Sequence, residues 1–173
     1  NDPTVLIGKD LAIADGSVWT KGGGIVTFGG ATQLLSDANT ISNDLGDALI
    51  NSYISMTVAT NATVTSFEIS SNSKSIVDSS SILTITGVLA ITGELEMADS
   101  SVVDAGGNVT VAAAGTLDMD GTSRFKMKED LSFSGTLEAS DDSRIDLDGD
   151  TQQTISGSTT PTFNMLFCSS STT

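Results

Sequence analysis

At 173 residues the chain suffices for one compact domain or one short solenoid, and its 22 Asp and Glu against 7 Lys and Arg leave a net charge of −15. That field repels phosphate backbones, which excludes nucleic acid as a partner, and it attracts divalent cations and cationic partners. Histidine is absent and cysteine occurs once, at Cys168, so histidine-based acid–base chemistry, an internal disulfide and a Cys-rich zinc site are excluded.

No apolar run approaches the ~18 residues that would span a bilayer. The chain opens on Asn1 without a charged and apolar leader, which reads as a processed or trimmed product and fits export. Heavy use of Ser, Thr, Gly and Asp with little Lys or Cys fits an exported bacterial surface protein.

In chain order, Val5 to Phe28 already fits the repeat set out below: a start at Lys9 puts Leu11, Ile13, Ser17 and Trp19 at plus two, four, eight and ten. The even offset points Trp19 inward. IVTFGGATQ, Ile25 to Gln33, echoes RIDLDGDTQ, Arg144 to Gln152. From Ala31 to Tyr53 the pattern blurs. Ile41, Leu45 and Leu49 are spaced by four, with Ser42 or Asn43 as a cap. A short helix or irregular excursion is one reading, although Gly46 costs a helix about 1 kcal/mol; a poorly matched rung is the other. Alternation returns with Met56 and Val58, then Val64, Phe67 and Ile69, and again with Leu83, Ile85, Leu89 and Ile91.

From Gly93 the chain repeats itself. Lines begin at Gly93, Gly115, Gly135 and Gly157, at periods of 22, 20 and 22 residues. Two residues on stand Leu95, Leu117 and Leu137; eight on, Ser101, Ser123 and Ser143; ten on, Val103, Phe125 and Ile145. A fixed period near 20 is the mark of stacked repeats. Each cycle holds three short alternating pieces, the length of the faces of a three-sided coil. The expectation is a single all-β domain, a parallel β-helix with three strands per coil. Equivalent residues then stack ~4.8 Å apart. A β-sandwich would also give many short strands, but not the shared offsets.

Stacking converts offsets into contacts. Lys126 falls between Asp104 and Asp146 at plus eleven, Val102, Arg124 and Arg144 align at plus nine, and Glu96, Asp118 and Glu138 make a like-charged column at plus three. Odd offsets point outward. Asp118 and Asp120, followed by Gly121, and Asp146, Asp148 and Asp150 around Gly149 have the oxygen donors that calcium takes. The glycine-rich β-roll and EF-hand spacings are both absent, and Asp at tight corners explains the same residues. Arg124, Lys126, Lys128, Arg144, Asp146 and Asp148 converge on neighbouring rungs as the residues of a polysaccharide-cleaving site would; a solvated salt-bridge ladder is the favoured reading. Thr84 and Thr86 suggest ice-binding ranks, but these do not persist across cycles. Asn61 and Asn108 head glycosylation acceptor triplets, meaningful only in a eukaryotic secretory route.

The segments GTLDMDGTS and GTLEASDDS, followed by LDGDTQQTISG and TFNML, resemble repeats of large secreted bacterial surface proteins, the filamentous-haemagglutinin-like adhesins and autotransporter passenger domains. The resemblance runs from Lys9 onward. It implies a right-handed β-helix exposed outside the cell, in an adhesive or structural role. The leading expectation is a non-catalytic protein, with a module that binds surface glycans or a carbohydrate-active enzyme as the alternatives. Such proteins usually have many more rungs, so a fragment or a small self-assembling unit is expected. Neither end shows a cap: Val5, Leu6 and Ile7 lie in one terminal apolar strand, and Phe163, Met165 and Phe167 in another, Thr162 to Phe167. Open ends of this kind would stack head to tail into a filament. Cys168 is a buried thiol or faces a neighbouring copy.

Overall fold

The computed structural model describes residues 4–20, 22–51, 53 and 55–169 and is all-β, with strands β1–β21 in chain order and no helix among the described residues. Three parallel sheets form the walls of a β-solenoid of about eight turns. Wall one runs β1 (Val5–Ile7), β3 (Ile25–Phe28), β5 (Asp47–Ile50), β8 (Ser66–Ile69), β11 (Leu89–Ile91), β14 (Val109–Val111), β17 (Leu131–Phe133) and β20 (Ile155–Ser156). Wall two runs β2 (Leu11–Ile13), β4 (Thr32–Asp37), β6 (Ser55–Val58), β9 (Lys74–Val77), β12 (Glu94–Met97), β15 (Thr116–Met119) and β18 (Thr136–Ala139). Wall three runs β7 (Ala62–Val64), β10 (Ile82–Ile85), β13 (Val102–Ala105), β16 (Arg124–Met127), β19 (Arg144–Leu147) and β21 (Met165–Cys168).

The period-two pattern dictates which residues go inside. Leu95 stacks on Leu117 and Leu117 on Leu137, and Val103, Phe125 and Ile145 form a second column. No single turn could bury these side chains; each is covered by the turns on either side. The core is mainly aliphatic, with Phe28, Phe67, Phe125 and Phe133 fully buried at intervals. Glycine marks one corner for a steric reason. A Cβ on Gly115 would run into the Ile91 carbonyl, and one on Gly135 into the Gly115 carbonyl, so the repeat glycines are the price of close backbone approach.

The first turns depart from the template. Leu11 stacks on Leu35, then Val58, Val77 and Met97, so it belongs to the plus-four column rather than beside Leu95. Gln33 holds the plus-two place, above Met56 and Ser75. A slip of two residues preserves the inward alternation, which is why the pattern could not detect it. No helix forms over 41–49: residues 38–46 are irregular apart from a bridge at Asp44, and β5 begins at Asp47.

Among the described residues wall three has no strand in the first two turns; segments 14–20, 22–24 and 38–46 take its place. Asp37, 4% exposed, ties the second of these to β4. Its Oδ1 accepts from the N–H (3.0 Å) and Nδ2 (2.6 Å) of Asn39, and its Oδ2 from the N–H (2.6 Å) and Nδ2 (3.0 Å) of Asn43. The same asparagines reach the first segment. Asn39 Oδ1 accepts from Gly16 N–H at 2.9 Å, and Asn43 Oδ1 from Trp19 N–H at 2.9 Å. Trp19 sits half-buried against the core, inward as expected but on an irregular segment.

Candidate functional site

Charged side chains concentrate on the outer face of wall three. Of the seven Lys and Arg residues in the chain, Arg124, Lys126, Lys128 and Arg144 lie there. The stacking of Asp104, Lys126 and Asp146 is as the repeat predicts, but the ion pairs are not. Lys126 Nζ lies 3.5 Å from Asp104 Oδ2 and 3.3 Å from Asp148 Oδ2. Asp146 is instead taken by two guanidiniums, Arg124 Nη2 at 2.6 Å and Arg144 Nε at 3.1 Å. A forked guanidinium outcompetes an ammonium for one carboxylate. Lys126 turns to Asp148, two residues along the same strand direction. Burial works against its charge, but Asp104 and Asp148 overcome this and hold its pKa above the ordinary lysine value.

Beside this ladder a shallow cleft of about 280 Å³ is lined by Thr84, Thr86, Asp104, Gly106 and Lys128. Lys128 is half exposed and reaches Asp104 only at 3.8 Å. Comparison with family models, with curated proteins and with solved structures finds no match to this chain.

The five aspartates singled out as calcium ligands do not gather. Asp118 projects from wall two, Asp146 from wall three, and the Asp146 and Asp148 carboxylates are engaged by Arg and Lys. Asp120 accepts from Ser140 Oγ at 2.9 Å. Among the described residues, the carboxylates that lie within 4.8 Å of one another as a threesome are Glu94, Glu96 and Asp118. Glu94 and Lys74 were not singled out from the sequence, yet they decide this patch. Lys74 Nζ is 2.8 Å from Glu94 Oε1 and also contacts Glu96, so a tethered ammonium already neutralises the carboxylates on the near side. A 22-residue cycle carried upstream from Gly93 would set Lys74 over Glu96; the interval here is 20 residues, so Lys74 stands over Glu94 instead. Asp118 is left with acidic neighbours. Burial, then Asp120, Glu138, Glu96 and Glu94, push its carboxyl above the ordinary value.

At the ends, among the described residues, β1 pairs only with β3, and β21 only with β19. Val5 and Ile7 point inward, and Leu6 outward with 69% exposure. At the other end the strand starts at Met165, not Thr162. Met165 and Phe167 stack beneath Arg144 and Asp146, on the outer face. Arg144 lies over the Phe167 ring at 4.8 Å from its centroid, a cation–π contact. Leu166 and Cys168 continue the core columns, and Phe163 packs on the core from the irregular segment before the strand. An even spacing of Phe163, Met165 and Phe167 thus misleads, because the chain changes face between Phe163 and Met165. The Cys168 thiol is exposed and free, since no further turn covers it among the described residues.

Proposed function

We propose that this chain is a non-catalytic structural and adhesive module of a bacterial cell surface, adding to further copies end to end. The observation that supports the reading is the condition of wall one. Among the described residues its first strand, β1, and its last, β20, are each paired on one side only. The inward residues there, Val5 and Ile155, stand 38% and 36% exposed. An unpaired edge with uncovered core at both ends of one wall is complementary to itself, and such a heterologous contact propagates instead of closing. Backbone hydrogen bonds of strand addition would supply the affinity. Walls two and three contribute less to this joint. Residues 14–20, 22–24 and 38–46 stand in for wall three at the first end, and residues 157–164 for wall two at the last. Placement outside the cell rests on the resemblance of the repeats and on composition.

Negative-stain imaging and sedimentation over a range of concentrations, in calcium and in chelator, test the reading. Filaments or a growing ladder of oligomers are expected, and a monodisperse monomer at high concentration rejects assembly. Leu6→Pro is the specific control. The Ile7 C=O accepts from Gly29 N–H at 2.9 Å, so by parallel alternation the Leu6 N–H lies on the outer edge. Proline there removes a donor from the joint while sparing the bonds to β3.

One observation favours a second reading, contact with surface glycans: the clustering of four cations beside the wall-three cleft in an otherwise acidic chain. A glycan array with Lys128→Ala as control separates it from a purely structural role.

A further inference from the structure

We propose that a single file of water molecules runs inside the solenoid along the corner between walls two and three, held by Ser81, Ser101, Ser123 and Ser143. Each serine ends a tight turn whose geometry recurs. Its N–H bonds the carbonyl three residues back: Ser81 to Asp78 (3.0 Å), Ser101 to Ala98 (3.0 Å), Ser123 to Asp120 (3.1 Å) and Ser143 to Ser140 (3.1 Å). The carbonyls of the first three are used as well, by Val102, Arg124 and Arg144 N–H of the next turn at 2.9, 2.9 and 3.0 Å. These ladder bonds place the four residues directly over one another. The N–H groups of all four and the carbonyls of the first three are thus accounted for, and the hydroxyls of Ser101, Ser123 and Ser143 are what remains.

Ser101 and Ser123 are 0% exposed, Ser143 1% and Ser81 3%. The Oγ atoms of Ser101, Ser123 and Ser143 are buried with no protein donor or acceptor in reach. A buried hydroxyl without a partner is costly, and here the cost would be repeated turn after turn. The hydroxyls cannot satisfy one another directly, because turns lie ~4.8 Å apart and an O–H···O bond needs about 2.8 Å. A water set between two of them spans that distance through two ordinary bonds at an open angle. It meets the minimum of two polar partners that an internal water requires. Serine is also short, so this column leaves free the space that Leu, Met and Phe fill in neighbouring columns. Beyond the two ends of the column, Asn61 Oδ1 accepts from Ile82 N–H at 3.1 Å, and Asn164 donates its amide to the Asp141 carbonyl; both asparagines are exposed.

Ser75 provides the contrast within the same molecule. Its Oγ is equally buried and without a protein partner, but it stands between Met56 and Leu95 in an apolar column. A water there would have a single polar neighbour, so the site stays dry.

A high-resolution crystal structure, water-17O relaxation dispersion in solution, and the thermal midpoints of Ser123→Ala and Ser75→Ala test the assignment. Density midway between successive Oγ atoms is expected, with long-lived waters in the dispersion profile. Ser123→Ala removes a hydroxyl shared by two bridges. It should diminish the dispersion amplitude and lower the midpoint by about 3 °C, whereas Ser75→Ala should leave the midpoint unchanged or raise it. Serine hydroxyls turned onto backbone carbonyls with no density between them would overturn the proposal. So would a Ser123→Ala midpoint that follows Ser75→Ala. Should Ser123→Ala not fold, the wild-type density and dispersion decide alone.

Discussion

Asp146 is an outward residue that the fold nevertheless buries, to 6% exposure, under the two arginines it pairs with. Removing it strands two partly exposed guanidiniums. Asp146→Ala should cost on the order of 2 kcal/mol by urea denaturation, whereas Lys126→Met should cost about 1 kcal/mol or less. Two other aspartates respond to pH in opposite senses. Burial raises the Asp37 carboxyl, but the amides and N–H groups of Asn39 and Asn43 outweigh it and bring it below the ordinary value. Its stabilisation is complete above the unfolded value near 3.9 and is lost as pH falls through the lower folded value. Asp118 is raised, so its folded form binds the proton more tightly. Its penalty is present in full above the raised value and is relieved as pH falls through it. Asp37→Asn should therefore lower the thermal midpoint at pH 7, and Asp118→Asn should raise it. Melting curves from pH 7 to pH 3 check both: Asp118→Asn loses a stabilisation on mild acidification that the parent shows.

Among the elements, two glutamines do the same work at different corners. Gln33 Nε2 donates to the Ile7 and Lys9 carbonyls at 2.8 and 2.7 Å, and its Oε1 accepts from Gly30 N–H at 2.9 Å. Gln153 Nε2 donates to the Met127 and Glu129 carbonyls at 2.8 and 3.0 Å, and its Oε1 accepts from Gly149 N–H at 3.0 Å. The sequence echo between Ile25–Gln33 and Arg144–Gln152 is thus a shared clamp, although β3 and β19 lie in different walls and the working residue is Gln153, one beyond the aligned position. Gln153→Leu should cost roughly 2 kcal/mol, with hydrogen exchange accelerating first over residues 149–156. Gly115→Ala forces a methyl against the Ile91 carbonyl. It should cost about 3 kcal/mol and be felt in the turns on both sides.

For the molecule as a whole, stability is close to a sum over turns and the contacts between neighbours. A net charge of −15 opposes both compaction and end-to-end stacking. Raising sodium chloride toward physiological strength should raise the thermal midpoint and promote association together, because the self-repulsion is screened over ~8 Å. A sedimentation series in salt that shows the reverse would argue that assembly depends on ion pairs rather than on strand edges.

The residue order by itself determined the three-walled coil, the inward columns of Leu95 and Val103, and the outward placement of Asp104 and Lys126. These follow from period-two alternation repeated at a near-constant interval, and local pattern suffices to express both. Only the tertiary structure decided the register of the first turns, where a slip of two leaves the pattern intact. It also decided which carboxylate Lys126 meets, because the competition of Arg124 and Arg144 for Asp146 is a matter of side-chain reach across turns. The face shown by Met165 and Phe167 was hidden for a related reason: an irregular step between Phe163 and the strand breaks the alternation that sequence reading has to assume.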